Sequence, residues 1–395
     1  MEAYILDNLR RRVAVIDTFE SFIWTERFKD IGDFEMILLS TNENRTRLTV
    51  GTTLAMNNSY RMMTVETVQD KTDAEGRKLL TISGRSFEAI LENRVAKDTL
   101  ADLTAEPKWL LTGTPTTIVR KIFHDICILG QLSVRDIIPS VIESSIFPED
   151  TIGEPADSIT VELEVMTVYE AVKNICDIYE IGFRFIRNFD TSELYFDFYM
   201  GSDRTTGQND LPAVVFSPSL DNLQNTMELS TNAMYKNVAY VFSPAGTAVV
   251  YPDGIDPVLV EGLERRVLMV KADDIAVQDP PESAPVILAK LTQRGLEELS
   301  KNRQLSAFDG EIGHNISYKY GIDYNLGDLV EKRNDSGTTD NMQVTEQIFV
   351  SDNEGERSYP TLSLNTFITP GSWIAWDYNQ VWAEVPDTEH WADQP

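Results

Sequence analysis

Cysteine, histidine and basic charge are all scarce in this 395-residue chain, and each scarcity closes a class of function. Two cysteines, Cys127 and Cys176, cannot build a disulfide framework. Each sits in an apolar, helix-like segment, so two buried free thiols and a reducing compartment are expected. The three histidines, His124, His314 and His390, lie far apart and in no metal-ligand spacing. His124 falls off the apolar face of its helix and reads as solvated, and His314 reads as a turn residue before a strand. Lys and Arg number 34 against 63 acidic residues, a formal net charge of −29. A nucleic-acid binder needs the opposite sign to displace counterions from phosphates, so tight DNA or RNA binding is not expected. The acidity reads first as solubility.

Targeting and catalytic signatures are missing too. The start, MEAYILDNLRRR, lacks the pattern of a signal peptide, and no apolar run reaches bilayer length. A soluble chain made in a cytoplasm is the expectation. No GxSxG elbow, GxxxxGK[ST] loop or GxGxxG turn is present, so no cofactor, metal or catalytic residue is assigned. Carboxylates are so many that a hidden glycosidase-like pair stays open on sequence grounds. DKTDAEG and DNEGE invite a calcium reading, but neither has the spaced ligand loop, and both fall where a hairpin turn is wanted.

What is present is a globular composition, 42% apolar and 25% charged, in a chain long enough for roughly two to four domains. The first hundred or so residues alternate with period two. Val13 and Val15 do so, as do Phe22 and Trp24, then Phe34, Met36 and Leu38. Thr114-Pro115 opens a helix with Ile118, Val119, Ile122, Phe123 and Ile126 on one face. Thr167 and Glu170 form a capping box for a second, carrying Val168, Val172, Ile175 and Tyr179, with Gly182 as its stop. The hairpin GFRFIRNFDTSELYFDFYMG follows. NVAYVF, TAVVYP and RRVLMVK read as strands. A helix over about 285–301 turns Ile287, Leu288, Leu291 and Leu299 inward. ISYKYGIDY, DLVEKR and MQVTEQIFV read as strands again, with Asn334–Gly337 as a hairpin turn.

The patterning divides the chain into four. Residues 1–100 are strand-rich, 101–211 mixed α/β, 212–368 strand-rich with one helix, and 369–395 a tryptophan-rich arm. The fold class is mostly β with α/β insertions. Four of the six tryptophans, Trp373, Trp376, Trp382 and Trp391, crowd into the arm at a spacing that fits neither strand nor helix. They are the candidate partner contacts, since buried Trp is a favoured interface anchor. The alternative is that the arm packs on its own domain.

Several stretches taken in order resemble one family. WTERFKDIGDFEMILL, LLTISGRSFEAILENRV, FYMGSDRT, VVFSPSLDNLQN, YKNVAYV and GIDYNLGDLVEKRNDSGTTDNMQVTEQI resemble the successive motifs of hub-like minor tail, or baseplate hub, proteins of long-tailed non-contractile phages. The resemblance runs from about residue 10 to 365. Gly32 and Gly84 read as strand-end turns, and Gly327-Asp328 as the turn into a strand. The resemblance implies two tail-tube-like β-barrels with smaller mixed domains between them, and a homotrimeric ring that caps the tail tube. It implies a virion location at the tail tip. The implied partners are a distal tail or tube protein, a tape measure protein and a tip fibre or spike. DNA would pass through the ring without specific binding, past a wall made repellent by the acidity. Many family members carry a C-terminal wall-hydrolase or receptor-binding module. This chain stops about thirty residues after the last barrel motif, which argues against a lysin role. A tail-associated wall hydrolase and a glycan-binding tip protein stand as the alternatives.

Overall fold

The computed structural model describes residues 1–72, 76–99, 108–143, 158–188, 191, 193–220, 222, 224–252, 254–277, 282–311, 318–333 and 339–366. The chain forms two compact units. The larger takes Met1–Ser230 and Leu305–Leu364, and the smaller is built on Thr231–Gln304.

The larger unit is organised by one extended sheet. Ala3–Leu6, Arg12–Ile16, Ser21–Arg27, Asp33–Leu39, Thr53–Met56, Met62–Thr72 and Lys78–Ser86 supply its N-terminal strands. Alternation decides which residues enter the core: Phe34, Met36 and Leu38 are buried while Asp33, Glu35 and Leu39 are exposed. Val13 and Val15 lie on the outward side of the strand that ends the sheet.

The strand Thr339–Asp352 joins the two ends of the sequence. On one edge its first part pairs with Leu329–Arg333 and its last part with Ser21–Arg27. Its other edge pairs with Gly355–Thr366. Hydrogen bonding therefore runs from C-terminal strands into N-terminal ones, across the sequence boundaries at 100 and 211. The pairing path ends at Arg12–Ile16 and Gln224–Thr231 and does not close on itself among the described residues.

The described residues include four α-helices: α1 (Asn42–Arg47), α2 (Pro115–Phe123), α3 (Val168–Tyr179) and α4 (Ala284–Ser300). In α2, the Thr114 side chain caps the first turn and Pro115 opens it. In α3, Thr167 and Glu170 form the reciprocal box. Both helices pack in one core with the hairpin of Gly182–Arg187 and Leu194–Tyr199, where the Phe123 and Phe196 rings stack at 3.9 Å between centroids. Cys127 and Cys176 are buried there as free thiols. Burial pushes the Cys127 thiol up to about 12, and Cys176 upward too.

Four local expectations need correction. ISYKYGIDY reads as a strand, but its described residues 318–324 form a turn closed by an isolated bridge between Tyr320 and Tyr324. Glu180, not Gly182, takes the left-handed position that ends α3, at φ 54°. Gly84 is not at a strand end but inside Lys78–Ser86, where a Cβ would lie 1.8 Å from the Thr64 carbonyl oxygen. Its need is close approach beside the bulge between Val65 and Thr67, not a turn. Leu288 is 54% exposed, whereas Leu291 and Leu299 are buried. The sheet beneath α4 has only three strands, too narrow to cover that flank of the helix.

The smaller unit is a three-stranded sheet in the order Gly246–Val250, Val238–Ser243, Val267–Lys271, with α4 on one face. No helix of the described residues is long and apolar enough to cross a membrane.

Candidate functional site

Five of the six motif stretches, all but YKNVAYV, belong to the larger unit, and several of them, far apart in sequence, meet there. In Ser21–Arg27 the inward positions are Phe22, Trp24 and Glu26, so the third core position of the strand is a carboxylate. Glu26 is 3% exposed. It accepts from Trp24 Nε1 at 3.2 Å, from the Tyr320 hydroxyl at 2.9 Å, and from the Ser59 hydroxyl.

A second buried pair lies in the same network. Arg61 Nη1 donates to Glu88 Oε1 at 2.7 Å, and the two side chains are 5% and 1% exposed. Arg61 Nη2 reaches the Arg27 carbonyl at 3.2 Å and the Tyr199 hydroxyl oxygen at 3.4 Å. Glu88 Oε1 also accepts the Phe185 backbone N–H at 2.8 Å. Glu88 Oε2 has no donor among the described residues. Burial alone lowers a guanidinium pKa, but Glu88, Tyr199 and Glu26 around Arg61 raise it above the ordinary value and hold the charge. Burial, then Glu26, pushes the Tyr320 hydroxyl well above its ordinary range, so it stays protonated and donates.

Phe28 completes the joint. Its ring, 1% exposed, packs edge-on to Tyr199 at 5.3 Å. A Cβ on Gly182 would lie 2.2 Å from that ring, and one on Gly327 would lie 2.4 Å from it. Two glycines from different motifs therefore make the slot for one phenylalanine from a third. Gly327 also has φ +90°, so its turn role holds. Behind it, a Cβ on Gly201 would meet the Gly327 oxygen at 1.8 Å. Asp328, 3% exposed, accepts the Ser202 N–H at 2.8 Å and the Asn325 N–H at 2.9 Å. Burial raises its pKa.

This arrangement ties strands together; it is not laid out for turnover. Glu26 and Glu88 are sealed from solvent and engaged, so neither can flank a substrate. No metal-like group of His, Cys, Asp or Glu occurs among the described residues. His124 is half-buried at the start of a π-turn, His124–Ile128, rather than fully solvated. His314, His390 and the candidate contacts Trp373, Trp376, Trp382 and Trp391 lie outside the described residues, as do the turn residues 334–337. The other tryptophans, Trp24 and Trp109, are buried. In DNEGE, Asp352 holds Arg357 at 2.8 Å and the Glu354 N–H at 2.9 Å, which is turn chemistry.

Arg61 and Glu88 carry no signal when read singly. The usable one was Glu26, at the same period-two phase as Phe22 and Trp24, because an inward carboxylate requires buried donors.

Fold and joint define a mostly-β framework whose distant strands are locked by interior charge. The chain belongs to the siphovirus ReqiPepy6 Gp37-like protein family, whose profile matches residues 2–362. Its fold is shared by solved tail proteins. The tail protein from Neisseria meningitidis MC58 aligns with a TM-score of 0.55 at 12% identity, over 92% of this chain and 95% of that one. The 43 kDa tail protein of prophage MuSo2 from Shewanella oneidensis gives 0.53 at 15% identity, over 92% and 97%. Prophage tail protein gp18 from Listeria monocytogenes EGD-e gives 0.50 at 11%, over 92% and 95%. No curated protein matches by sequence.

Proposed function

We propose that the chain is a structural hub of a long-tailed phage tail tip, working by assembly and not by catalysis. The observation that supports this most is the strand Thr339–Asp352. It welds the N-terminal and C-terminal strand-rich halves into one sheet, and the buried Tyr320–Glu26 hydrogen bond, beside the Arg61–Glu88 pair, ties them further. A protomer carrying load between a tube above and a tip below needs two halves that do not move apart.

On this reading three copies form a closed ring. The two halves of each chain stand in for two tube-like barrels, so three chains present six of them to a six-fold tube. It caps the tube beside a distal tail protein and the tape measure protein. It anchors a tip fibre or spike and lets the genome pass. The net charge of −29 suits a passage that must not hold DNA. Trp373, Trp376, Trp382 and Trp391 serve as partner contacts. The protein is assembled in the host cytoplasm and resides in the virion.

Phage grown with a nonsense mutation in this gene tests the reading by electron microscopy. Filled heads with absent or tipless tails are expected. Complete, infectious tails would refute it.

A further inference from the structure

Among the described residues, none of the smaller unit's elements packs on one face of its sheet. Ala239, Val241, Ala248, Val250 and Val270 point toward α4 and form the core with Leu291 and Leu299. The alternate residues point away. By register, Val249, Tyr240 and Met269 form one row across the three strands, and Thr247, Phe242 and Lys271 the next. Solvent-facing rows of a sheet are ordinarily polar. Here Phe242 is 45% exposed, Val249 57% and Met269 64%.

Positive charge rims the same face. Arg265 lies over the Tyr240 ring at 5.5 Å and donates to the Tyr240 and Tyr251 hydroxyls at 2.8 and 3.0 Å. Lys271 is exposed at the other end of the row. An apolar platform with a basic edge, on a chain of net charge −29, selects an occupant that is aromatic and acidic.

The chain carries one such segment. Residues 367–395 hold four tryptophans and five carboxylates, Asp377, Glu384, Asp387, Glu389 and Asp393, with no Lys or Arg. We infer that this face is the dock for the C-terminal segment of a second copy, its tryptophans lying on Val249, Tyr240 and Met269 and its carboxylates on Arg265 and Lys271. A closed ring needs two different complementary surfaces on every chain, and this pair supplies them. Reach is ample, since 29 extended residues span up to about 100 Å. The inference rests on the ring reading and names one of its interfaces.

The test places a photo-crosslinking phenylalanine analogue at Met269 in the full-length chain. Isotope-heavy and isotope-light chains are mixed before assembly with the tail-tube partner. Crosslinks from position 269 to peptides within 367–395, in heavy–light pairs, are expected. Crosslinks confined to one isotope would place the segment on its own chain and overturn the inference, as would crosslinks elsewhere or none. As a second readout, Val249→Asp with Met269→Asp alters only exposed side chains. It should weaken trimer formation about tenfold or more, with the thermal transitions in place. Unchanged assembly would also overturn it. A wild-type chain that stays monomeric with the partner refutes the ring itself; a trimer whose crosslinks miss 367–395 refutes only this dock.

Discussion

The two units differ in how much charge they bury and in how far apart in sequence their strands lie. The larger unit puts charge inside: Arg61, Glu88, Glu26 and Asp328 are all buried. Its strands meet across long stretches of chain, as when Tyr320 reaches Glu26 over 294 residues. The described sheet and helix of the smaller unit come from one stretch, Val238–Ser300, with a core cluster of alanine, valine, isoleucine and leucine and one buried cation, Lys290, paired with Glu282, and the unit keeps apolar surface outside. Buried charge is costly unless every partner is in place, which favours one arrangement of distant strands over others. A short local sheet needs no such device, because its loops close cheaply.

Breaking the frame should have the largest effect. Glu88→Ala leaves Arg61 charged and unpaired in the interior, at a cost of about 3–5 kcal/mol. Cys127 and Cys176 both lie in the larger unit, so thiol labelling during urea unfolding reads it selectively. Labelling should move to lower urea while the smaller unit's transition holds. Unchanged labelling would break the comparison.

Gly327→Ala comes next. It must adopt φ near +90° and push a Cβ into the Phe28 ring, for about 2–3 kcal/mol, again in the larger unit only. The smaller unit has its own test in α4. Gly→Ala inside a helix ordinarily gains about 1 kcal/mol from propensity. At Gly295 the new Cβ would lie 2.7 Å from Val250 Cγ2, so the sign should reverse to a net loss of about 1–2 kcal/mol. Calorimetry showing a stabilised variant would contradict the packing described for that sheet.

The smallest effect belongs to the α3 cap. Glu170→Ala should cost about 0.5–1 kcal/mol near neutral pH. Bonds from Thr167 hold the Glu170 pKa below its ordinary 4.5. A depressed carboxylate contributes stability above the unfolded value and loses it as pH falls through the folded one. The gap between variant and wild type should therefore close on acidification below about pH 4, read by urea midpoints across pH.

Local rules carried most of the secondary structure. Thr114-Pro115 and Thr167–Glu170 start helices as their chemistry dictates, and the runs Ser21–Arg27 and Asp33–Leu39 show their buried phase directly, whereas the Val13 and Val15 phase faces outward. The joint was not legible, because Arg61 and Glu88 become partners only when Met62–Thr72 pairs with Lys78–Ser86, and Tyr320 reaches Glu26 only after the chain ends share a sheet. Period-two pattern does not encode which strands pair. Gly84 and Gly182 failed for the same reason. A glycine required by a neighbour's carbonyl or ring looks, in one sequence, like a glycine required by a turn. The apolar alternation in NVAYVF and RRVLMVK announced strands, and two-sided hydrophobicity in such short runs was the unread sign of an exposed apolar face.

The central claim is assembly into a ring. Solution mass of the full-length 44.6 kDa chain, measured alone and after co-expression with its tail-tube-adjacent partner, tests it most directly. The account predicts three copies per particle once the partner is present. A strict monomer in both samples would contradict it.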